Sequence, residues 1–417
     1  MLPVEASMEF PRKCDVLIAG AGPAGLATAL YLLKAHPEMA GRVVAIDKAA
    51  HPRFKTCAGG LIPKTMLALD ELGITLDVPA VDVMRGAART EVGDVDLTRG
   101  DTLCTVIRRD QFDAMLAHKA RAAGLQIVER CRIAGAAQDP SGVRVATDRG
   151  AIAASVVIGA DGSGSRIRRS IFGDGKENLG RALMRDIAVN PEAAREFIEH
   201  RYVFDFRCVG GGIKGYSWSF PCLIDGQPHL NVGIYDQLPR EDHGIAGEQS
   251  LMLSELRRAF PELPLDDLGH RSMNWHAFPI RWFDESDRYA QGRVILAGDA
   301  AGVDPLMGEG ISCAFEHGKL AAEAVAKFSA GDNMALNQYD RALHRGTVGR
   351  KLKILSFAAR NFYGRRHRAF FRIARMSRRA REIGVDWYNG AAHFDELPPS
   401  ALVAKWMRAV LFRAPVR

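Results

Sequence analysis

Apolar runs that end at glycine or at a carboxylate recur along this chain, and they predict buried β-strands with turns at their ends. The first run, CDVLIA at residues 14–19, leads through a glycine-rich turn into the amphipathic stretch LATALYLLKA at 26–35. A short apolar run followed by a helical period is typical of a strand that enters a helix. A second run of this kind, RVVAIDK at 42–48, predicts the next strand.

Two later apolar runs repeat this design. ASVVIGADG at 154–162 and RVILAGDAAG at 293–302 each reach an aspartate at a turn, and an amphipathic helix follows Gly310. In an open α/β sheet, side chains at such strand ends reach a ligand in one crevice. Each turn taken alone is equally compatible with an aspartate that caps a helix. Strand-like runs between 181 and 284 fit an antiparallel sheet that roofs this crevice.

The turn after the first strand has the spacing Gly20-x-Gly22-x-x-Gly25. The first glycine makes the bend, the second lets the backbone approach a diphosphate, and the third lets the helix pack on the strand. Asp47 lies 22 positions after Gly25, where a carboxylate can bind a ribose hydroxyl. The sequence therefore predicts a bound dinucleotide, and its predicted contacts here are Gly20, Gly22, Ala24, Gly25, Asp47 and Lys48.

Composition and cysteine spacing narrow the class of protein. The chain has 417 residues, 47% of them hydrophobic and 25% charged, which suits a globular protein of two or three structural units. Its 7 cysteines are scattered without a CxxC pair, so we expect a reducing compartment and neither a disulfide framework nor a metal site. No apolar run approaches the roughly 18 residues of a membrane span, and no signal core is visible, so we expect a cytoplasmic protein.

Positive charge is concentrated at the C-terminal end. Residues 341–417 hold 18 Lys and Arg against 4 Asp and Glu, a net charge of +14, whereas the whole chain carries +7. Arginines there interleave with apolar residues, which predicts amphipathic helices, and the segment at 401–417 repeats this character. Such helices either dock peripherally on the inner face of a membrane or cap the substrate domain. Nucleic acid is not expected as a partner, because no helix-turn-helix, zinc or RNA-binding signature is present.

The three glycine-bearing turns, taken in chain order over residues 13 to 330, resemble the fingerprints of FAD-dependent oxidoreductases of the para-hydroxybenzoate hydroxylase class. The resemblance implies FAD as the cofactor, with Asp299 at its ribitol and the Gly308–Gly310 backbone around the flavin ring. Arg109 matches an Arg-x-x-Phe-Asp helix start that lies near FAD in this class, and the alternative is a surface arginine. The further cofactor contacts that the resemblance implies are Asp161, Gly162, Asp299, Gly308, Gly310 and Ile311.

Two segments resemble the geranylgeranyl reductase family within this class. The first, Pro52–Gly60, resembles its P-R-x-K-x-C-G-G-G pattern, with Ala58 where the family usually has glycine. Arg53 and Lys55 in this segment either meet FAD phosphates or an anionic substrate head, or have no specific role. The residues that the resemblance places at the flavin are Cys57, Ala58 and Gly59.

The second segment, Tyr216-x-Trp218-x-Phe220-Pro221, resembles the family's Tyr-x-Trp-x-Phe-Pro motif. Alternate positions of a strand share one face, so three aromatic side chains would line one surface. Such a wall suits a long apolar chain, although aromatic stripes are more often plain core. The substrate contacts predicted here and from a returning strand further on are Tyr216, Trp218, Phe220, Pro221 and Phe278.

The family resemblance implies reduction of isolated carbon–carbon double bonds in a lipophilic isoprenoid chain, with hydride from N5 of reduced FAD. The catalytic residues that it implies are Cys57, Tyr216 and Trp218. Cys57 either donates the proton or shapes the site, and water or Tyr216 are alternative donors. The electron donor, NAD(P)H or a reduced ferredoxin-type protein, and the oligomeric state stay open. The competing functions are a FAD-dependent monooxygenase or halogenase and, outside catalysis, a flavoprotein electron carrier.

The predicted fold is a Rossmann-like FAD-binding domain (α/β) with an antiparallel-sheet substrate domain (α+β) and a C-terminal helical region. Both domains are interrupted in sequence, because the dinucleotide motifs flank the segments assigned to substrate. The predicted bounds are 13–75, 101–180 and 285–330 for the FAD-binding domain, 76–100 and 181–284 for the substrate domain, and 331–417 for the basic amphipathic helical region.

Overall fold

The computed structural model describes residues 10–98, 100–173, 178–237, 244–265 and 275–389. The basic segment at 401–417, which contributed to the membrane prediction, lies outside the described residues. Within the described stretches, no helix combines the length and the apolar character that crossing a membrane requires.

The described residues form two large sheets, one small sheet and eleven α-helices. The strands are β1 Lys13–Ala19, β2 Val43–Ile46, β3 Gly60–Leu61, β4 Ala80–Val83, β5 Arg85–Arg89, β6 Val95–Thr98, β7 Cys104–Ile107, β8 Gln126–Val128, β9 Ile133–Asp139, β10 Gly142–Thr147, β11 Gly150–Gly159, β12 Leu179–Ala188, β13 Arg201–Asp205, β14 Gly215–Ile224, β15 Gln227–Asp236, β16 His276–Arg281, β17 Ala290–Gln291 and β18 Val294–Leu296. The helices are α1 Pro23–Ala35, α2 Pro63–Leu72, α3 Arg109–Ala122, α4 Arg166–Phe172, α5 Arg195–Ile198, α6 Gly244–Ala259, α7 Ile311–Ser329, α8 Ala335–Arg345, α9 Thr347–Phe362, α10 His367–Met376 and α11 Arg378–Tyr388.

The first large sheet has the order β17-β18-β11-β1-β2-β8, and an antiparallel ribbon of β10 and β9 extends from β11. Strands β18, β11, β1, β2 and β8 run parallel, and β2 is buried along its whole length, as expected where a parallel sheet is covered on both faces. Helix α7 lies close against α1, since a side-chain carbon on Gly318 would be 2.8 Å from the Cβ of Ala27. This part confirms the predicted Rossmann-like architecture.

The second large sheet has the order β16-β12-β15-β14-β13-β5-β6 and is antiparallel except between β13 and β5. Its strands fall within residues 85–98 and 179–281, so β12 begins inside the range predicted for the FAD-binding domain. A three-stranded sheet, β3-β7-β4, contacts β14. The predicted antiparallel layer is confirmed, and the individual domain bounds stay predictions.

The C-terminal helices α8 to α11, which we call the cap helices, pack on the cores of both large sheets. Tyr339 of α8 donates its hydroxyl to the carbonyl of Leu296 (2.5 Å), and Leu352 and Leu355 of α9 belong to the core of the parallel sheet. Phe371 of α10 belongs instead to the cluster on the inner face of the second sheet. The described part of the predicted basic region is therefore a cap over both sheets.

Candidate active site

A cavity of about 1340 Å³ runs from the carboxyl ends of β1, β2, β11 and β18 to the aromatic face of β14. Ligand pockets commonly enclose about 300–1,000 Å³, so this cavity has room for a dinucleotide and a second molecule. We call its two parts the cofactor end and the chamber. The cofactor end is lined by Gly20, Gly22, Ala24, Asp47, Asp161, Asp299 and 308–311, and the chamber by Tyr202, Phe204, Phe206, Tyr216, Trp218, Phe220 and residues of α9, α10 and α11.

The glycine turn after β1 brings bare backbone to the cofactor end. Gly20 has φ +105°, and a Cβ there would lie 2.3 Å from the carbonyl oxygen of Ala160. Gly22 faces the cavity, and a Cβ there would lie 3.3 Å from the Arg53 guanidinium. Gly25 does not line the cavity and packs inward, since a Cβ on it would lie 2.0 Å from the oxygen of Gly20. The three glycines thus have the separate roles that their spacing predicts.

Asp47 is held at the end of β2 by the backbone around it. It is 8% exposed, and its carboxylate accepts the N–H of Ala21 and the N–H of Ala49, both at 2.9 Å. Lys48 lines the cavity beside it. The predicted ribose carboxylate therefore lies at the cofactor end, already oriented by two amides.

Asp161 lines the cavity, but its carboxylate is occupied by a helix end. It accepts the Ser165 hydroxyl (2.5 Å) and the N–H groups of Arg166 (2.6 Å) and Ile167 (3.2 Å) at the start of α4. Burial raises its pKa above the usual range. The helix-cap alternative therefore describes Asp161, whereas Gly162 offers cavity-facing backbone.

Asp299 lies in the third turn, which a buried histidine stabilises. Its carboxylate accepts the Ser163 hydroxyl (3.2 Å), and a Cβ on Gly310 would be 3.2 Å from its Oδ1. The N–H of Gly298 donates to Nδ1 of His317 (3.1 Å). Burial lowers the pKa of His317 to about 4, so the ring is a neutral acceptor at neutral pH. His317 was not predicted, because nothing in the sequence separates it from an ordinary helix residue.

Arg109 and Cys57 meet at the boundary between the cofactor end and the chamber. Arg109 makes two hydrogen bonds to Asp113 (2.8 and 2.9 Å), and its guanidinium interacts electrostatically with the Cys57 sulfur. That sulfur accepts the N–H of Gly59 (3.3 Å), while the Cys57 N–H points to Sδ of Met184 (3.1 Å). Cys57 and Ala58 line the cavity, and the surface-arginine alternative for Arg109 is wrong because the residue is buried.

For two basic residues of the same segment, the sequence left three interpretations open: contact with FAD phosphates, contact with an anionic substrate head, or no specific role. Arg53 lies 3.4 Å from Asp113 and next to Gly22, where a diphosphate would approach. Lys55 lines the cavity with its Nζ 3.0 Å from the ring centroid of Phe278. Burial lowers the pKa of Lys55 to about 8, with Asp299 opposing that effect. Both cations line the cavity, which favours a ligand contact over surface exposure and leaves the FAD phosphates and an anionic substrate head as the two candidates.

The aromatic wall of β14 lines the chamber as predicted, with one exception. Tyr216, Trp218 and Phe220 face the cavity, whereas Pro221 points to the opposite face and does not line it. A period of two residues along the strand separates them. Trp218 donates its Nε1–H to Asn231 (2.8 Å), which fixes the indole over β15.

The surroundings of Tyr216 contradict its predicted role as an alternative proton donor. Its hydroxyl donates to the carbonyl of Met307, and burial raises its pKa well above the usual value. Its proton is therefore bound to the backbone beside the cofactor end.

Other rings of the chamber were not predicted. Tyr202 and Phe220 stack with centroids 5.1 Å apart, Phe204 meets Tyr216 edge-on at 5.0 Å, and Phe371 of α10 lies 5.5 Å from Phe206. Phe278 lines the cavity from β16, as predicted. Tyr202, Phe204 and Phe206 alternate along β13 and just beyond it, so a period of two residues puts them on one face, and this alternation is the signal that could have found them.

The family model described as FAD binding domain matches residues 13–349. The chain belongs to the FAD binding domain family. FAD is accordingly its cofactor, and the cofactor end fits this group: the backbone at Gly22 and the Arg53 guanidinium would hold its diphosphate, and the start of α7 in the cavity lining would stabilise negative charge on the flavin. Among the described residues, no group of three or more His, Cys, Asp or Glu could hold a metal ion.

Two curated relatives of this FAD-binding protein are named as reductases. A menaquinone reductase of Mycolicibacterium smegmatis is 27% identical over 380 residues, which cover 82% of this chain and 84% of the relative. A digeranylgeranylglycerophospholipid reductase of Methanothrix thermoacetophila is 29% identical over 343 residues, which cover 77% of this chain and 80% of the relative.

Solved structures with this fold include proteins of different chemistry. A geranylgeranyl bacteriochlorophyll reductase-like protein from Thermoplasma acidophilum matches with a TM-score of 0.73 at 20% identity, over 94% of this chain and 100% of that chain. A flavin-dependent brominase matches with a TM-score of 0.70 at 18% identity, over 95% and 99%. These likenesses show the fold, which does not choose between reduction and halogenation.

Proposed function

We propose that this protein is a FAD-dependent reductase of isolated carbon–carbon double bonds in an isoprenoid chain of the geranylgeranyl type. The observation that carries the proposal is the chamber, a ring-lined apolar space that continues directly from the cofactor end. The two relatives named as reductases of menaquinone and of a digeranylgeranyl phospholipid support it.

The chamber rings form a continuous row that suits a long apolar chain. The centroids of Trp218 and Tyr216 are 6.1 Å apart, those of Tyr216 and Phe206 5.7 Å, and those of Phe206 and Phe371 5.5 Å. Such a row removes several isoprene units from water, and electron-rich ring faces stabilise positive charge that develops on an alkene carbon. A small aromatic substrate would leave much of this surface without a partner.

The chain's own residues bind the substrate and deliver a proton. When bound in its reduced form, FAD supplies the hydride for one alkene carbon. Cys57 is the proposed proton donor for the other carbon, because its sulfur lies in the cavity lining at the boundary between the cofactor end and the chamber, where the Gly59 N–H donates to it. Hydride and proton together add two hydrogens across one double bond, and water from bulk returns the proton to the sulfur.

The test is an anaerobic turnover assay. Protein with FAD reduced by dithionite is given geranylgeranyl diphosphate, a digeranylgeranyl phospholipid or menaquinone, and the product mass is read. We expect a gain of two hydrogens per reduced bond, and a loss of about a hundredfold in rate for Cys57→Ala. Cys14→Ala is the matched control, because Cys14 is buried away from the cavity.

Other outcomes would replace the proposal. A product that forms only with oxygen and carries an added oxygen or halogen assigns a monooxygenase or halogenase. Reoxidation of the flavin without any product assigns an electron carrier. Reduction that is unchanged in Cys57→Ala keeps the reductase and transfers the proton-donor role to water.

A further inference from the structure

Three consecutive carbonyls of the loop at 304–310 each accept a hydrogen bond from a side chain of a distant segment. The bonds run from Nε2 of Gln237 to Pro305 (2.6 Å), from the hydroxyl of Tyr363 to Leu306 (2.5 Å), and from the hydroxyl of Tyr216 to Met307. The donors stand after β15, after α9 and within β14. We call Gln237, Tyr363 and Tyr216 the loop clamp.

The amide side of the same loop is bound as well. The Asp304 carboxylate accepts the N–H of Leu306 (2.7 Å) and of Met307 (3.1 Å), and the N–H of Gly308 donates to the Asp304 carbonyl (3.1 Å). Peptide units bound on both sides have one orientation. Gly308 follows with φ +65°, and Gly310 then caps α7, so the loop clamp holds the backbone that leads into the start of this helix at the cofactor end.

The C-terminal region supplies two of the groups around this loop. Tyr363 is one, and the other is Lys351 of α9, which is buried with its Nζ 3.8 Å from a carboxylate oxygen of Glu316 on α7. Burial acts to lower the pKa of Lys351, but Glu316 and its neighbours outweigh it and hold that pKa above the ordinary value. The cap helices therefore reach the cofactor end as well as the chamber.

We propose that Tyr363 and Gln237 are positioning residues for FAD, which act through the 304–310 loop, and that the C-terminal region is in this way part of the cofactor site. Neither residue lines the cavity, so neither touches the cofactor itself. A loop that loses one of these donors keeps a buried carbonyl without a partner and can rotate its peptide planes. The inference rests on FAD binding and is independent of which substrate the enzyme reduces.

The experiment compares Tyr363→Phe with Tyr289→Phe in the full chain. Tyr289 is also buried and donates its hydroxyl to a backbone carbonyl, that of Asp284 (3.0 Å), but it lies outside the cavity lining. FAD affinity is measured from quenching of flavin fluorescence, and the visible spectrum of bound FAD and the thermal unfolding of the apoprotein are recorded. Gln237→Leu is the second clamp variant.

We expect both clamp variants to bind FAD about three- to tenfold more weakly, from the loss of one hydrogen bond, with a shifted visible spectrum. Tyr289→Phe should lower apoprotein stability to a similar degree and leave the affinity and the spectrum unchanged. The proposal is overturned if Tyr363→Phe behaves as Tyr289→Phe does. If Tyr363→Phe does not fold, an unchanged affinity and spectrum in Gln237→Leu overturns it.

Discussion

The two ends of the cavity are made in opposite ways. At the cofactor end, close packing of the backbone depends on the absence of side chains. A Cβ added to Gly20 would lie 2.3 Å from backbone, and one added to Gly59 would lie 1.9 Å from the oxygen of Ile107. In the chamber, contact depends on bulk, since Tyr202, Phe204 and Phe206 crowd against the rings of β14. A dinucleotide is recognised by close backbone and fixed charge, and an apolar chain by area.

The two ends of the cavity also differ in how far apart in the sequence their lining residues lie. Most contacts of the cofactor end stand within a few residues of a strand end, as Asp47 does after β2 and Asp299 after β18, and the exception is the loop at 304–310, which side chains of distant segments hold. The chamber takes its rings from β13, β14, β15, β16 and the cap helices. Damage at the cofactor end should therefore remove the cofactor, and damage in the chamber should change only the substrate.

The largest effect is expected from Gly59→Ala. Gly59 has φ +82° and no room for a side chain, so the variant must move the loop after Cys57 or the strand end at Ile107. We expect FAD binding weakened by more than about a hundredfold, with about 2–4 kcal/mol lost from the free energy of unfolding. The measurements are the FAD retained on purification and chemical denaturation.

Ala58→Gly is the matched control for that variant. It adds flexibility beside the same loop without a clash, and it restores the glycine usual in the geranylgeranyl reductase family. We expect FAD retention within about threefold of the unmodified protein. Equal FAD binding by Gly59→Ala would show that the cofactor end does not depend on bare backbone at this position.

The contrast also explains what could be predicted from the sequence. The glycine turns and their carboxylates were predictable, because a diphosphate requires them at set distances from a strand end. The face of β14 that carries the aromatic wall was predictable. The prediction of Pro221 as a substrate contact was wrong, because the two-residue period puts it on the other face. For Asp161, the sequence offered both a helix cap and a cofactor contact and gave no reason to prefer one of them.

The remaining parts depend on tertiary packing. Tyr202, Phe204 and Phe206 alternate along and just after β13, but packing decides what their face meets. Tyr363 reaches its loop only because α9 packs on the parallel-sheet core. The basic composition of the C-terminal region indicated its amphipathic helices and left open what they cover. Membrane docking by that region stays a prediction.

A smaller and different effect is expected in the chamber from Phe206→Leu. The change removes the ring that joins Tyr216 to Phe371 while it keeps an apolar side chain. We expect the KM for the isoprenoid substrate to rise about tenfold, from a lost contact of about 1–1.5 kcal/mol, with FAD affinity unchanged. Steady-state kinetics measures the KM, and FAD titration on the same preparation measures the cofactor affinity.

Phe283→Leu serves as the control for ring loss alone. Phe283 is 2% exposed and stacks on Tyr289 (6.3 Å) outside the cavity, so its replacement should lower stability without a change in KM. If both variants raise KM equally, general destabilisation explains the effect and the chamber row carries no specific role.

The smallest effect on ligand binding, joined to an effect of opposite sign on stability, is expected from Lys55→Met. Burial lowers the pKa of Lys55 to about 8, so the folded apoprotein holds this proton less tightly than the unfolded chain. Its stability should therefore rise between pH 8 and about 10.5, and the methionine variant should be more stable than the unmodified protein at pH 7 by about 1–3 kcal/mol. Urea denaturation at several pH values measures this.

The same variant should bind FAD more weakly, because the Lys55 ammonium lines the cavity near Asp299 and the variant would no longer offer this positive charge to the negatively charged cofactor. We expect about a three- to tenfold loss at pH 7, and the unmodified protein should lose affinity as the pH rises through 8 whereas the variant should not. Lys319→Met, on the surface beside Glu71, should change neither quantity. If Lys55 destabilises the apoprotein and strengthens FAD binding, its charge serves the cofactor and not the fold. If Lys55→Met lowers stability and leaves FAD affinity alone, Lys55 belongs to the packing of Phe278 in the chamber and not to the cofactor end.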